Sequence, residues 1–455
     1  MLRERIRRFH FVGIGGIGMS GIAQILLEMG YEVSGSDLKE SKNTEILKKK
    51  GARIFIGHSP KNVRGDVQVV VYSSAVREDN PEIKKARSLG IPVIPRGEML
   101  AELFKLKEGI AVSGSHGKTT TTSMIAHILE EAGYDPTVII GGILQRLGGN
   151  AKLGRGDLLI SEADESDGSF LKLSPVVAVI TNVDREHLDF YRDLEDIKEA
   201  FLRFADSVPF YGFCVMNVDD PNLRSLASKT SRRVVLFGTR ESADILGTDL
   251  SVEDGRYRFK VLRKGKRIGE IVLGIPGRHN VLNALASIAT CLEIGVDFAT
   301  IKETLESFRN AERRMELKGY YKGSPIYDDY GHHPTEIRAV LESVKDLYPG
   351  RRILLIFQPH RYSRTHHLFD DFVKVLRIPD ITVVTEIYPA GEKNTYGVSG
   401  EELARSSGAI FAKDEEDIFS TIERFGEGSV ILFMGAGDIT KTCDKVIRTL
   451  SCSLP

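Results

Sequence analysis

Residues 110–129 read IAVSGSHGKTTTTSMIAHIL: an apolar, β-branched run, a glycine-rich turn, a lysine followed by threonine, and a segment that patterns as a helix. That order describes a phosphate-binding loop. Backbone amides cradle the phosphates, Lys118 reaches the β and γ phosphates, and the Thr119 hydroxyl ligates Mg²⁺. The strict GxxxxGK[ST] spacing asks for glycine at 112, where Val112 stands; Gly114 leads instead, so the loop is a shortened variant. Four threonines, Thr119 to Thr122, open the helix against propensity, but their hydroxyls can bond the free N-terminal amides and phosphate oxygens. A purely structural turn is the competing reading.

Outward from this loop, short apolar runs alternate with amphipathic helical stretches to both ends of the chain, the pattern of α/β folds with parallel sheets. Three blocks separate. The first, residues 1–107, carries FHFVG, YEVSGSD, ARIFIG, VQVVVYSSA and IPVIPRGEM. The second, 108–312, holds IAVSG, DLLISE, VVAVITNV, FCVMNV and RVVLFG, and YRFKVLRKGKRIGEIVLG is expected to form a hairpin across Lys264 and Gly265. The third, 313–455, carries SPIYDD, RRILLIF, ITVVTEI and SVILFM. In open parallel sheets ligands bind at the carboxyl ends of strands, so residues just after each run carry the most weight.

Composition narrows the class of function. The chain has 455 residues, with 62 Lys and Arg against 63 Asp and Glu, a net charge of -1 that provides no global field for nucleic acid or an anionic membrane. No apolar run approaches the ~18 residues of a membrane span, and the first strand-like run begins too early for a signal peptide, so a cytoplasmic location is expected. Cys214, Cys291, Cys443 and Cys452 form no CxxC pair, which argues against a disulfide framework or zinc knuckle. Glycine is in excess, 44 residues against a usual ~7%, and many of them fall in turns after strands.

Two of those turns matter. Gly13, Gly15, Gly16 and Gly18 spell GxGxxG with Ile14 and Ile17 between them, after a strand and before a helix. Such a loop offers amides and a helix dipole to a diphosphate. Asp37 ends the next strand, where a dinucleotide-binding domain places its ribose-binding acid. NAD or FAD, another diphosphate ligand and a structural turn all remain open, and Ser73 and Ser74 after a later strand would either bond the same ligand or cap their loop. In the second block, Glu162 ends DLLISE at the head of EADESDG, and His187 follows VVAVITNV within DREHLDFY. With Thr119 and phosphate oxygens they would complete a Mg²⁺ or Mn²⁺ shell. Of Asp164, Glu165 and Asp167, most are expected to be solvated loop charges, with one of them a candidate ligand for a second metal.

GIGGIGMSG, SGSHGKTTTT, EADESDGSF, TNVDREHLDFY, GIPGRHNVLNALA and DDYGHHP, in that order through all three blocks, resemble the Mur ligases, and within them the branch that adds L-alanine. The resemblance implies an N-terminal Rossmann-like domain that binds a UDP-sugar, a central P-loop ATPase domain, and a C-terminal Rossmann-like domain that brings the amino acid. The first loop then grips UDP rather than NAD through Gly15, Gly16, Ile17, Gly18, Asp37, Ser73 and Ser74. ATP falls to Gly114, Ser115, His116, Gly117, Lys118, Thr119 and Thr120, with His279, Asn280 and Asn283 near adenine and ribose and Arg314 and Asp329 near the nucleotide. Asn280 reads alternatively as a helix N-cap, and Arg314 as a surface ion pair. Thr119, Glu162 and His187 resemble the metal ligands. His332, His333, His360, Arg361 and Arg364 would hold the amino acid and the reacting carboxyl, with His332 a candidate base. Several Mur ligases carry a modified lysine about fifteen residues past the metal histidine; here that position is Leu202, and Lys198, one turn earlier, is expected to face solvent.

The implied reaction joins UDP-N-acetylmuramate to L-alanine at the expense of ATP through an acyl phosphate, by a monomer or weak dimer with no membrane or nucleic-acid partner. A recycling ligase that attaches a preformed peptide to the same sugar nucleotide shares this chemistry. A nicotinamide-dependent dehydrogenase and a non-catalytic P-loop switch are the readings from other classes.

Overall fold

The computed structural model describes residues 6–144, 149–188, 190–253, 255–309 and 313–451. Cys452 and the expected block boundary at residue 312 lie outside them. Three sheets, one per block, carry the structure. In the first, β1 (Arg8–Val12), β2 (Glu32–Asp37), β3 (Arg53–Ile56), β4 (Val69–Tyr72) and β5 (Val93–Pro95) lie in the order β3-β2-β1-β4-β5, all parallel. The order reverses beside β1, so the glycine loop that follows β1 opens into the crevice at the switch point.

The central sheet is built on β6 (Glu108–Ser113), β9 (Leu158–Glu162), β10 (Val177–Ile180), β11 (Phe213–Asn217) and β12 (Val234–Gly238), all parallel. Its edges are β7 (Thr137–Leu144) with β8 (Gly149–Lys152) on one side, and β13 (Ile245–Glu253), β14 (Arg256–Arg263) and β15 (Lys266–Val272) on the other. The expected hairpin is β14–β15, antiparallel across Lys264 and Gly265. Strands β7, β8 and β13 escaped the sequence reading: β8 is a short edge strand, β7 is interrupted by Gly141 and Gly142, and β13 alternates buried and exposed residues along its second half instead of running continuously apolar.

The third sheet has the order β16-β17-β21-β18-β19-β20, from β16 (Glu316–Tyr321), β17 (Ser324–Asp329), β18 (Arg352–Phe357), β19 (Ile381–Val384), β20 (Ile410–Phe411) and β21 (Ser429–Met434). It is parallel, as expected of a Rossmann-like sheet, with β16 added as an antiparallel edge strand paired to β17.

The blocks are not equally independent. One apolar cluster runs from the first block into the second, joining Phe11, Ile22 and Leu100 to Ile139, Ala151, Phe170 and Phe201. The helix Ile17–Glu28 lies against β7 and β8, and a Cβ on Gly21 would come 3.1 Å from Ile139 Cγ2, so glycine permits that close approach. The third block has its own apolar clusters and meets the central one largely through polar side chains.

Candidate active site

The loop between β6 and the helix Lys118–Glu131 is held from below. Ser115 N and His116 N donate to Asn182, the His116 carbonyl accepts from Thr181 Oγ1 at 2.6 Å and Asn182 Nδ2 at 2.9 Å, and Ser115 Oγ accepts from Asp184 N at 2.8 Å. Gly114 and Gly117 have φ of +128° and +85°, and a Cβ on Gly117 would stand 2.4 Å from Asn283 Oδ1. The helix carries no capping side chain and no acid in its first turn, so its amides and dipole face the loop mouth. Lys118 Nζ bonds the Gly114 carbonyl at 2.6 Å and Glu165 Oε1 at 2.7 Å. Burial disfavours its charge, but Glu165, Glu186 and Asp164 together hold the ammonium above its ordinary pKa.

Glu165 therefore corrects the expectation of a solvated acid. It is 2% exposed, lies 3.6 Å from His187 Nε2, and groups with Glu186 and His187. Asp164 is likewise engaged, bonded by Arg96 Nη2 at 2.9 Å. Glu162, at the end of β9, accepts from Gly141 N at 2.6 Å and from the Thr119 side chain; burial raises its pKa against those bonds and the nearby Lys118. His187 adopts φ +56°, a left-handed backbone uncommon outside glycine, and its half-buried imidazole lies beside two carboxylates. Lys198 is half-buried along its stem, and its ammonium pairs at 2.8 Å with the exposed Glu195.

Three cavities run into one another along this centre. The first, about 450 Å³, is lined by Gly117, Thr120, His279, Asn283, Arg314 and Asp329 among others. Burial and Arg314 push His279 down to about 4, so its ring is neutral, and its Nδ1 has no hydrogen-bond partner among the described residues. Asp329, at the end of β17, accepts from Met315 N and Gly331 N at 2.7 Å each; burial lifts its carboxyl to about 6 although Arg314 opposes. Asn280 does not line this cavity and is not an N-cap, which is Gly277; it is buried and accepts from Asn283 Nδ2 at 3.0 Å, bracing a residue that does.

The second cavity, about 420 Å³, contains Lys118, Thr119, Glu162, His187, His332 and Arg364, and shares His116, Gly117, Arg314 and Glu336 with the first. The third, about 300 Å³, lies at the mouth of the first glycine loop, with Gly16, Ile17, Gly18, Ser73, Ser74 and Arg96. It shares Ile17, Lys118, Gly141, Glu162 and Asp164 with the second. Gly15 and Asp37 do not line it. Asp37 Oδ2 instead accepts from Gly15 N at 2.8 Å and braces the loop from behind.

From the C-terminal sheet, His332 and His333 follow β17, while His360, Arg361 and Arg364 follow β18. His332 Nδ1 lies 3.0 Å from the Tyr330 carbonyl, which only accepts, so Nδ1 carries the hydrogen and Nε2 the lone pair. Burial, reinforced by Arg364, brings His332 down to about 4. His333 caps the helix Pro334–Leu347 through Nδ1. His360 accepts from Arg364 Nη1, consistent with a ring pushed to about 3 by burial and its cationic neighbours, and Arg364 Nη2 reaches Glu186 at 3.1 Å. Arg361, with φ +70°, opens the short helix Tyr362–His367 and lines a small hollow with Glu186, His187 and Arg364.

Three family models tile the chain: Mur ligase family, catalytic domain over 8–108, Mur ligase middle domain over 112–291, and Mur ligase, glutamate ligase domain over 313–437. The chain belongs to the Mur ligase family. It is 66% identical over 452 residues to the UDP-N-acetylmuramate–L-alanine ligase of Aquifex aeolicus, covering 99% of both chains, and 53% identical to that of Persephonella marina, covering 99% of this chain and 98% of the other. Among solved structures it resembles the UDP-N-acetylmuramate–alanine ligase of Thermotoga maritima, with TM-score 0.83 and 35% identity over 98% of this chain and all of the other. The murein peptide ligase of Psychrobacter arcticus, at TM-score 0.74 and 24% identity over 99% of this chain and all of the other, shares the fold.

In this Mur ligase the sequence reading missed Arg96, Asn182, Asp184, Glu186 and Glu336. Arg96 comes directly after β5, and Asn182, Asp184 and Glu186 follow β10, so strict use of the strand-end rule would have found them. Glu336 had only a capping signal, at the third position of its helix.

Proposed function

We propose that this Mur ligase joins L-alanine to the carboxyl of UDP-N-acetylmuramate, cleaving ATP to ADP and phosphate, as a cytoplasmic monomer or weak dimer that needs no membrane or nucleic acid. One observation carries the reading: the three cavities form a single cleft whose two junctions are the Lys118–Glu162 region and the His116–Arg314 region. A nucleoside triphosphate in the first and a sugar diphosphate in the third would meet in the second. Near-full-length identity to alanine-adding ligases supports alanine over a preformed peptide. Residues 1–107, 108–312 and 313–455 are assigned as the UDP-sugar, ATP and amino-acid domains, with Gly16, Ile17, Gly18, Ser73 and Ser74 on the sugar nucleotide and Gly114 to Thr120, His279, Asn283, Arg314 and Asp329 on ATP.

The donor set suits Mg²⁺ or Mn²⁺. Thr119, Glu162 and His187 offer a hydroxyl, a carboxylate and an imidazole, and Glu165 Oε2, buried beside His187, has no hydrogen-bond partner among the described residues. When bound, such an ion neutralises charge on the phosphates. The protein's own groups would do the rest. The muramate carboxylate attacks the γ phosphorus and ADP leaves, while Lys118 exchanges Glu165 for phosphate oxygens and the helix amides stabilise the developing charge. His360, Arg361 and Arg364 hold the alanine carboxylate. The alanine amine attacks the acyl carbon, its proton passes to His332 Nε2, and the carbon–oxygen bond to phosphate breaks.

The test is phosphate release across a panel of amino acids, with and without the sugar nucleotide. Release that requires both sugar nucleotide and alanine is expected; release without either, or tight NADH binding instead, would reject the reading. With ¹⁸O in the muramate carboxyl, label should appear in phosphate, and unlabelled phosphate would exclude the acyl phosphate.

A further inference from the structure

His116 lies in the glycine-rich loop with its backbone N and O bonded to Asn182 and Thr181, and its side chain makes contacts of a different kind. Nε2 lies within hydrogen-bonding distance of Asp184 Oδ2, at 3.1 Å, whereas Nδ1 makes no hydrogen bond among the described residues and faces Glu336 Oε1 at 3.4 Å as an ion pair. Each ring nitrogen faces a carboxylate, so the ring is a cation. Burial opposes that charge, but Asp184 and Glu336 outweigh it and raise the imidazole to about 10. Glu336 uses its other oxygen to accept from His332 N at 2.9 Å and His333 N at 3.1 Å, fixing the turn that carries the candidate base. Asp184 Oδ2 also accepts from Thr335 Oγ1 at 2.6 Å. A closed ring of contacts therefore crosses the interface twice, from the phosphate loop through His116 and Glu336 to the start of the helix Pro334–Leu347, and back through Thr335 and Asp184.

We propose that His116 is a positioning residue that sets His332 at the reaction centre through Glu336, coupling an occupied phosphate loop to proton removal from the incoming amine. The inference rests on the role proposed above for His332. His116 is suited to it because its main chain is held at both N and O by Thr181 and Asn182, so its ring reports the position of the loop. A misplacement of a reacting group by about 1 Å can cost ~100-fold in rate, which is ample for this contact to govern turnover.

The experiment lets L-alanine and hydroxylamine compete for the acyl phosphate at saturating ATP, sugar nucleotide and alanine. Hydroxylamine is largely unprotonated near neutrality and needs no base. In His116→Gln, where one bond to Asp184 can survive but the bridge to Glu336 cannot, the ratio of alanine amide to hydroxamate should fall by roughly tenfold or more. Glu336→Gln should show the same fall, and the double variant no further one, because the two residues act in series. An unchanged ratio with a raised KM for ATP would show that His116 belongs only to the nucleotide loop. Falls that multiply in the double variant would show that the residues act separately; either result overturns the proposal. Absence of hydroxamate from the unaltered enzyme would instead remove the acyl-phosphate reading and this inference with it.

Discussion

Gly117 ties the chemistry of the phosphate loop to its backbone. Its φ of +85° places it in the left-handed region, and a methyl group there would overlap Asn283 Oδ1. Gly117→Ala should lose about 1–3 kcal/mol of stability and raise the KM for ATP, as read by thermal unfolding and ATP titration; a variant with unaltered melting and affinity would contradict the loop geometry. Lys118 is the residue whose role the sequence displays most openly, although its waiting partner, Glu165, was legible only as one acid among several. A hydrogen bond to a charged group contributes roughly 1.5–3 kcal/mol, so Lys118→Ala should slow phosphate release at least ~10-fold. Normal turnover in that variant would undo the assignment. Asn280 and Asp37 teach the complementary lesson. Both sit in motifs that point to ligands, and both turn their side chains onto protein, since a residue type and its spacing do not say whether the side chain faces the cleft or braces what does.

At the level of elements, strand, turn and helix were readable for most strands covered on both faces, because burial enforces a continuous apolar run. The edge strands β8 and β16 lack that enforcement and were not anticipated; nor were the interior strands β7, whose apolar run is cut by Gly141 and Gly142, and β13, which alternates buried and exposed residues. The cost of missing β5's end was greatest, because Arg96 opens the helix Arg96–Phe104 beside the first glycine loop, its guanidinium 3.0 Å from where a Gly18 Cβ would sit and bonded to Asp164. That placement gives the third cavity a cation which the glycine loop itself lacks. Arg96→Ala is expected to raise the KM for UDP-N-acetylmuramate several-fold while leaving the KM for ATP within about twofold; the reverse pattern in steady-state kinetics would place Arg96 outside that cavity.

For the whole molecule, the character of the two interfaces decides what can move. An apolar cluster continuous from the first block to the second binds them into one body, whereas the third meets the second through His116, Asp184, Glu186, Thr335, Glu336 and Arg364. Polar interfaces of that kind favour relative domain motion. Their titration sets a window for closure. His116 is raised to about 10 by its carboxylates, so its contribution is complete below the ordinary imidazole range and is lost as pH rises through about 10. Glu186 is buried yet lowered to about 2 by His116, His187 and Arg364, so its contribution is complete above the ordinary carboxylate range and is lost as pH falls through about 2. The radius of gyration by solution scattering should therefore be smallest near neutrality and rise toward both limits; a constant value from neutrality to about pH 10 would dismiss the imidazolium latch.

The linear chain by itself determined the three α/β blocks, the two glycine loops and most of the groups around them, because glycine turns after buried strands and the helices that follow are local features set by burial and backbone geometry. Tertiary structure alone decided which acids are solvated and which are paired, that Asn280 and Asp37 support rather than line the cleft, and that the phosphate loop touches the HHP turn through His116 and Glu336. Except for the local Asn280–Asn283 bond, those relations join residues well separated in the chain, and their charges and orientations exist only once packing has removed the intervening water.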